Sequence, residues 1–232
     1  MWLNATLQAN IINLIIIVGL ILIVFGRFKL KDLYLKKGDL LKGLIGTFLF
    51  WIAIHVIDSI IMLSMRSQIV FNSDLVNQTN VVFGNLLGQI FGNALHEEII
   101  FRGFLSIQFY LLIRNKMKSE KKRLLCTIFI PQALFVLGHI PNRIFYQYTG
   151  FEFVFDFIQL TLIGALFMII FIQTKNLFFV VGVHALMNSA PMIIKSNHYS
   201  ISAVICTVLF VCIYPLFQRK KMNMSNTNNL KM

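Results

Sequence analysis

Long apolar runs alternate along this chain with short basic clusters. The runs extend from Ala9 to Phe25, about Leu44 to Met65, Val81 to Ile113, Leu124 to about Ile140, Phe153 to Ile172, Leu177 to Ile194 and Tyr199 to Phe217. Each reaches the length of roughly 17–25 residues with which an α-helix crosses a bilayer core. One basic cluster follows the first run (Arg27, Lys29, Lys31, Lys36, Lys37, Lys42) and another follows the third (Arg114, Lys116, Lys118, Lys121, Lys122, Arg123). Arg219, Lys220, Lys221 and Lys231 lie beyond the last run. Cytoplasmic loops of membrane proteins gather Lys and Arg. The pattern predicts an all-α, polytopic transmembrane helix bundle of seven spans, N-terminus outside and C-terminus cytoplasmic. Every Lys and Arg then lies on the cytoplasmic side except Arg66, Arg143 and Lys195 outside and Arg102 within a span. An even number of spans would put one large cluster on the wrong side.

The spans group into an N-terminal pair (1–80, spans 9–25 and 44–65) and a core (81–195, spans 81–113, 124–140, 153–172 and 177–194). A last span and basic tail (196–232, span 199–217) complete the chain. At about 1.5 Å per residue, the 81–113 run exceeds the hydrocarbon thickness and must tilt or protrude. Pro141-Asn142 should end the fourth helix. The first run has its basic cluster behind it and no small-residue cleavage site, so it reads as a helix and not as a signal peptide. The Asn-rich tail after Lys221 reads as disordered.

Composition narrows the class. The chain is 57% hydrophobic and 13% charged, with a mean hydropathy of +0.76. Soluble domains carry about 45–50% apolar and about 25% charged residues, so a soluble globule, a disordered chain and a disulfide-stapled module are excluded. The net charge of +12 is accounted for by orientation and implies no nucleic-acid partner. Cys126, Cys206 and Cys212 are odd in number, lie in apolar runs and lack metal spacing, as small membrane-core residues do.

Polar residues within spans are functional candidates, because lipid makes them costly. The 81–113 run concentrates them. Gly84, Gly88 and Gly92 form a small-residue row that admits a neighbouring helix. Asn85, Gln89, Asn93 and Glu97 form a polar row at the same spacing. Glu98 and Arg102 are an i,i+4 pair in the favourable order. Two further runs carry spaced pairs, Phe135 with His139 and His184 with Asn188. Glu and His can take a proton from water, and a His and an Asn one turn apart can donate to a developing oxyanion. A proton or ion relay is the bland alternative for such a core. His55 with Asp58, Asp156 with Gln159, and His96 and His198 read as structural or interfacial groups.

Three of these groups resemble a known family. Glu97-Glu98-Ile99-Ile100-Phe101-Arg102 is similar to the EExxxR motif of the CPBP family, the CAAX-protease and bacteriocin-processing (Abi) intramembrane proteases. Phe135-Val136-Leu137-Gly138-His139 resembles its FxxxH motif, and His184-Ala185-Leu186-Met187-Asn188 its HxxxN/D motif. Order and spacing agree over about residues 81–195. The resemblance implies peptide-bond hydrolysis in or at the membrane. Glu97 with His139 would activate water, His184 with Asn188 would hold the oxyanion, and Glu98, Arg102 and Phe135 would support the site. Relatives of known structure are eight-helix bundles, which makes eight the alternative span count.

The expected partners are the bilayer and a peptide or membrane-protein substrate. No cofactor is certain; zinc is a candidate, with Glu97, His139 and His184 as its ligands, although no H-E-x-x-H helix is present. The single small domain and the Asn/Ile/Lys/Phe-rich usage point to a bacterial cell membrane. The competing function is a non-catalytic bacteriocin-immunity or scaffolding protein of the same fold. A transporter is less favoured, because paired broken helices and internal repeats are not evident.

Overall fold

A computed structural model of the protein describes residues 10–229, with side chains as far as Gln218. The basic side chains of the tail and the start of the first run lie outside the described residues. The apolar runs fold as helices: α1 (Asn10–Phe25), α2 (Lys37–Ser64), α3 (residues 79–113), α4 (Glu120–Gly138), α5 (Ile140–Phe145), α6 (Gly150–Thr174), α7 (Leu177–Ser189) and α8 (Tyr199–Asn229). Among the described residues the extended pairing is a single bridge, Phe71 with Ile194.

Four helical stretches are long and apolar enough to cross a bilayer: Leu30–Ser64, Glu120–Phe145, Gly150–Thr174 and Tyr199–Gln218. They cover the expected runs 44–65, 124–140, 153–172 and 199–217. Of the other three expected spans, α1 and α7 are apolar but shorter. The third, α3, carries the polar row together with Glu97, Glu98 and Arg102.

Three boundaries differ from expectation, each for a local reason. Pro141 falls in the first turn of α5, where its missing N–H costs no helical bond. The chain therefore turns helical again directly after His139. The run expected to reach Ile194 ends at Ser189, because Ala190 is extended (φ −82°, ψ 146°) ahead of Pro191. The last helix continues past Phe217 to Asn229, through the stretch read as a disordered tail.

Helix α7 is the centre of the bundle. Every residue of it from Phe179 to Leu186 is buried, as is Leu177. Its N-terminus is fixed by Asn176, whose side chain accepts from the Phe179 N–H and donates to the Asp39 carbonyl of α2. Small residues let α2 and α7 touch: a Cβ on Gly182 would overlap Thr47, and one on Gly43 would meet Phe178 and Phe179. Gly84, Gly88 and Gly92 are buried.

The non-helical strap 190–198 follows α7 and has its polar backbone satisfied by other elements. Trp51 Nε1 donates to Pro191 O, and Asn72 Nδ2 to Met192 O. The Ile193 N–H donates to His55 Nε2, and the Asn72 N–H to Ile193 O. Asp58 accepts from Ser196 and Ser202. His55 and Asp58 thus hold the strap, a structural task, and do not bond one another.

Candidate active site

Helix α3 alternates between two pitches. α-Helical turns (Thr79–Gly88, Leu95–Glu98, Ser106–Ile113) are separated by π-helical turns (Gln89–Ala94, Ile99–Leu105). A π turn inserts an extra residue and is frequent at functional sites. Here the two π turns bracket the four residues that carry both carboxylates. Ser106 shows the wider pitch, its hydroxyl donating to the Phe101 carbonyl five residues back at 2.7 Å.

Adjacent in sequence, Glu97 and Glu98 face different partners. Glu98 is fully buried, and its Oε1 accepts from Arg102 at 3.1 Å and from His184 Nδ1 at 2.8 Å. The Arg102 guanidinium, 1% exposed, also donates to Gln132 Oε1 (3.2 Å) and to the Gly164 carbonyl (3.1 Å). The rings of Phe135 and Phe167 lie 5.2 and 5.7 Å from its central carbon. Gln132 in turn donates to Leu160 O, joining α4 to α6. A Cβ on Gly164 would overlap the Gln132 amide, so glycine is what lets this amide reach Arg102.

Glu97 lies between two imidazoles, one at the α4–α5 junction and one on α7. His139 Nε2 is 4.0 Å from one carboxylate oxygen, and His184 Nε2 is 3.7 Å from the other. His139 Nδ1 donates to the Phe135 carbonyl at 2.8 Å. Both rings therefore have Nδ1 committed, to a carbonyl in one and to Glu98 in the other, and both turn Nε2 toward Glu97. Phe135 packs on the His139 ring at 4.4 Å and Phe167 on the His184 ring at 4.9 Å.

Asn188 stands one turn beyond His184 but is exposed, its Nδ2 donating to Gln89 Oε1 at 3.1 Å. Together with His184 it lines a cavity of about 250 Å³. The far wall of that cavity carries Gln159 and a bidentate pair, Arg143 with Asp156 at 2.7 and 3.1 Å. Glu97 and His139 do not line it.

The zinc candidates are set too wide. Ligands of a tetrahedral zinc at about 2.0–2.1 Å stand roughly 3.3 Å apart, against 4.0 and 3.7 Å here. Among the described residues no group of three or more His, Cys, Asp or Glu side chains is placed to hold a metal ion.

Sequence reasoning passed over Gln132, Gly164 and Phe167, which hold Arg102 and His184. A search for ionisable groups misses all three. A Gln inside an apolar run was the available signal.

Fold and site together define a helical membrane protein with a Glu/His cluster at the meeting of three helices. Residues 78–190 match the family described as type II CAAX prenyl endopeptidase Rce1-like, in agreement with the CPBP resemblance, and all three motifs lie inside this stretch. The family is one of proteases, and the protein is an integral membrane protein. No curated protein and no solved structure matches the chain.

Proposed function

We propose that the protein is an intramembrane endopeptidase that hydrolyses a peptide bond of a membrane-associated or precursor substrate in a bacterial cell membrane. The observation that carries this reading is the Glu97 carboxylate set between His139 Nε2 from the α4–α5 junction and His184 Nε2 from α7. With neutral rings, these are three hydrogen-bond acceptors facing one another, and a water among them donates to two of the three. Gaps of 3.7–4.0 Å leave room for that water to bridge.

In this mechanism Glu97 takes one proton from the water while its oxygen attacks the carbonyl carbon, with His139 orienting it. The tetrahedral oxyanion accepts from Asn188 Nδ2, while the neutral His184 ring keeps Nε2 turned to Glu97. Glu98 holds the ring through Nδ1, and Arg102 holds Glu98. On collapse, the proton from Glu97 passes to the amide nitrogen, which leaves as an amine.

The test is cleavage of prenylated CAAX peptides and of unprenylated precursor peptides by the purified protein in bilayers. Glu97→Gln and His139→Ala should each abolish cleavage without lowering abundance. Full cleavage by both variants would refute the mechanism.

A second reading is a non-catalytic immunity or scaffolding protein of this fold. The absence of Glu97 and His139 from the wall of the 250 Å³ cavity favours it. Cellular protection that survives Glu97→Gln would support that reading over hydrolysis.

A further inference from the structure

Away from the Glu/His cluster, an apolar slot of about 420 Å³ runs between α2 and α8. Ala53 and Ile57 of α2 and Ile213 and Phe217 of α8 are among its walls. A second cavity of about 360 Å³ adjoins it, the two sharing Gly46, Phe179, Phe210 and Tyr214 as walls. The chemistry changes sharply between them. The second cavity adds Asp39, Lys42, Thr174 and Asn176. Taken together, the two form a groove that is greasy along α2 and α8 and charged at one mouth.

Its dimensions match one leaflet. From Gly46 to Ile57, α2 rises about 16 Å, against about 15 Å for half of a 30 Å hydrocarbon core. The mouth carries one charge of each sign. Lys42 Nζ lies 3.7 Å from Asp39 Oδ1, too far for a hydrogen bond, so each group keeps capacity for a ligand. The Asn176 side chain is already committed to Asp39 O and the Phe179 N–H, which leaves the two charges as the recognition elements.

We propose that this groove is a binding site for a zwitterionic aminophospholipid. One acyl chain fills the slot, the phosphate meets Lys42, and the headgroup ammonium meets Asp39. Phe179 lines both cavities and belongs to the helix that carries His184. A bound lipid therefore packs against the same helix as the Glu/His cluster without touching the cluster, and the proposal is independent of proteolysis.

The test is native mass spectrometry of the full chain released from bilayers containing equal parts of ethanolamine, choline and glycerol phospholipids with identical acyl chains. One phospholipid should be retained per chain, enriched in the ethanolamine headgroup. Lys42→Gln should lower retention of all three by about fivefold, the scale of one Lys at a lipid headgroup. Asp39→Asn should remove the preference for ethanolamine over glycerol. Ala53→Phe should empty the slot, and the two surface variants keep the test decisive if it folds poorly. Three results would overturn the proposal: no retained lipid, retention in bilayer proportions that Lys42→Gln and Asp39→Asn leave unchanged, or a dimer whose partner copy occupies the slot.

Discussion

Replacing Arg102 with Met should be the most damaging change to the fold that leaves its volume nearly intact. The side chain is 1% exposed and its carboxylate partner Glu98 is fully buried. Removing the guanidinium leaves the buried Glu98 carboxylate without its cation, and strips donors from Gln132 Oε1 and the Gly164 carbonyl. Breaking a buried ion pair from one side costs about 3–5 kcal/mol. For a chain of this size, about 4 kcal/mol lowers Tm by roughly 8–16 °C. The contrast variant is Gln132→Leu, which removes two interhelical hydrogen bonds but leaves the Glu98–Arg102 ion pair in place. Such bonds average about 0.6 kcal/mol in a membrane protein, with a maximum near 1.7. Adding Glu98→Leu to Arg102→Met should recover part of the loss, because an apolar pair is tolerated where a lone charge is not. The assay is thermal unfolding in a fixed detergent micelle. Arg102→Met within 1 kcal/mol of wild type, or no more damaging than Gln132→Leu, would refute the reasoning.

Other changes separate packing from chemistry. Asn188→Ala should leave Tm within a degree or two, since the side chain is exposed, while lowering kcat about 10²–10³-fold as loss of an oxyanion donor does; kinetics on a cleaved peptide checks both. Gly182→Ala forces a methyl into Thr47 and should cost about 1–3 kcal/mol, with partial recovery in Gly182→Ala/Thr47→Ala. Trp51→Phe removes the donor to Pro191 O; faster amide exchange at Ile193 and Lys195 should report a loosened strap.

The sequence made most helices legible because lipid enforces long apolar runs, and α2, α4, α6 and α8 occupy the runs read as spans. The early end of α7 was hidden by continuing hydrophobicity. Met192, Ile193 and Ile194 look like more helix, but Pro191 and the pairing of residue 194 with Phe71 decide otherwise. The charged side chains of the site were conspicuous, since Glu97, Glu98 and Arg102 are anomalies in an apolar run. Their division of labour was less legible, because it depends on the π turns of α3, and i,i+4 arithmetic assumes a constant pitch. It set His184 and Asn188 on one face but carried no information on the ring's hold between Glu98 and Glu97.

The shortness of α7 has a consequence for what can approach it. Its 13 residues rise about 20 Å in a layer about 30 Å thick. The chain continues from its end as the strap, whose carbonyls and N–H groups are already met by Trp51, His55 and Asn72. An extended peptide entering hydrocarbon sheds hydration from every amide it carries, at several kcal/mol for each one left bare. Next to Asn188, however, the bundle presents polar main chain in place of lipid. An unwound polypeptide meets there a medium that resembles itself.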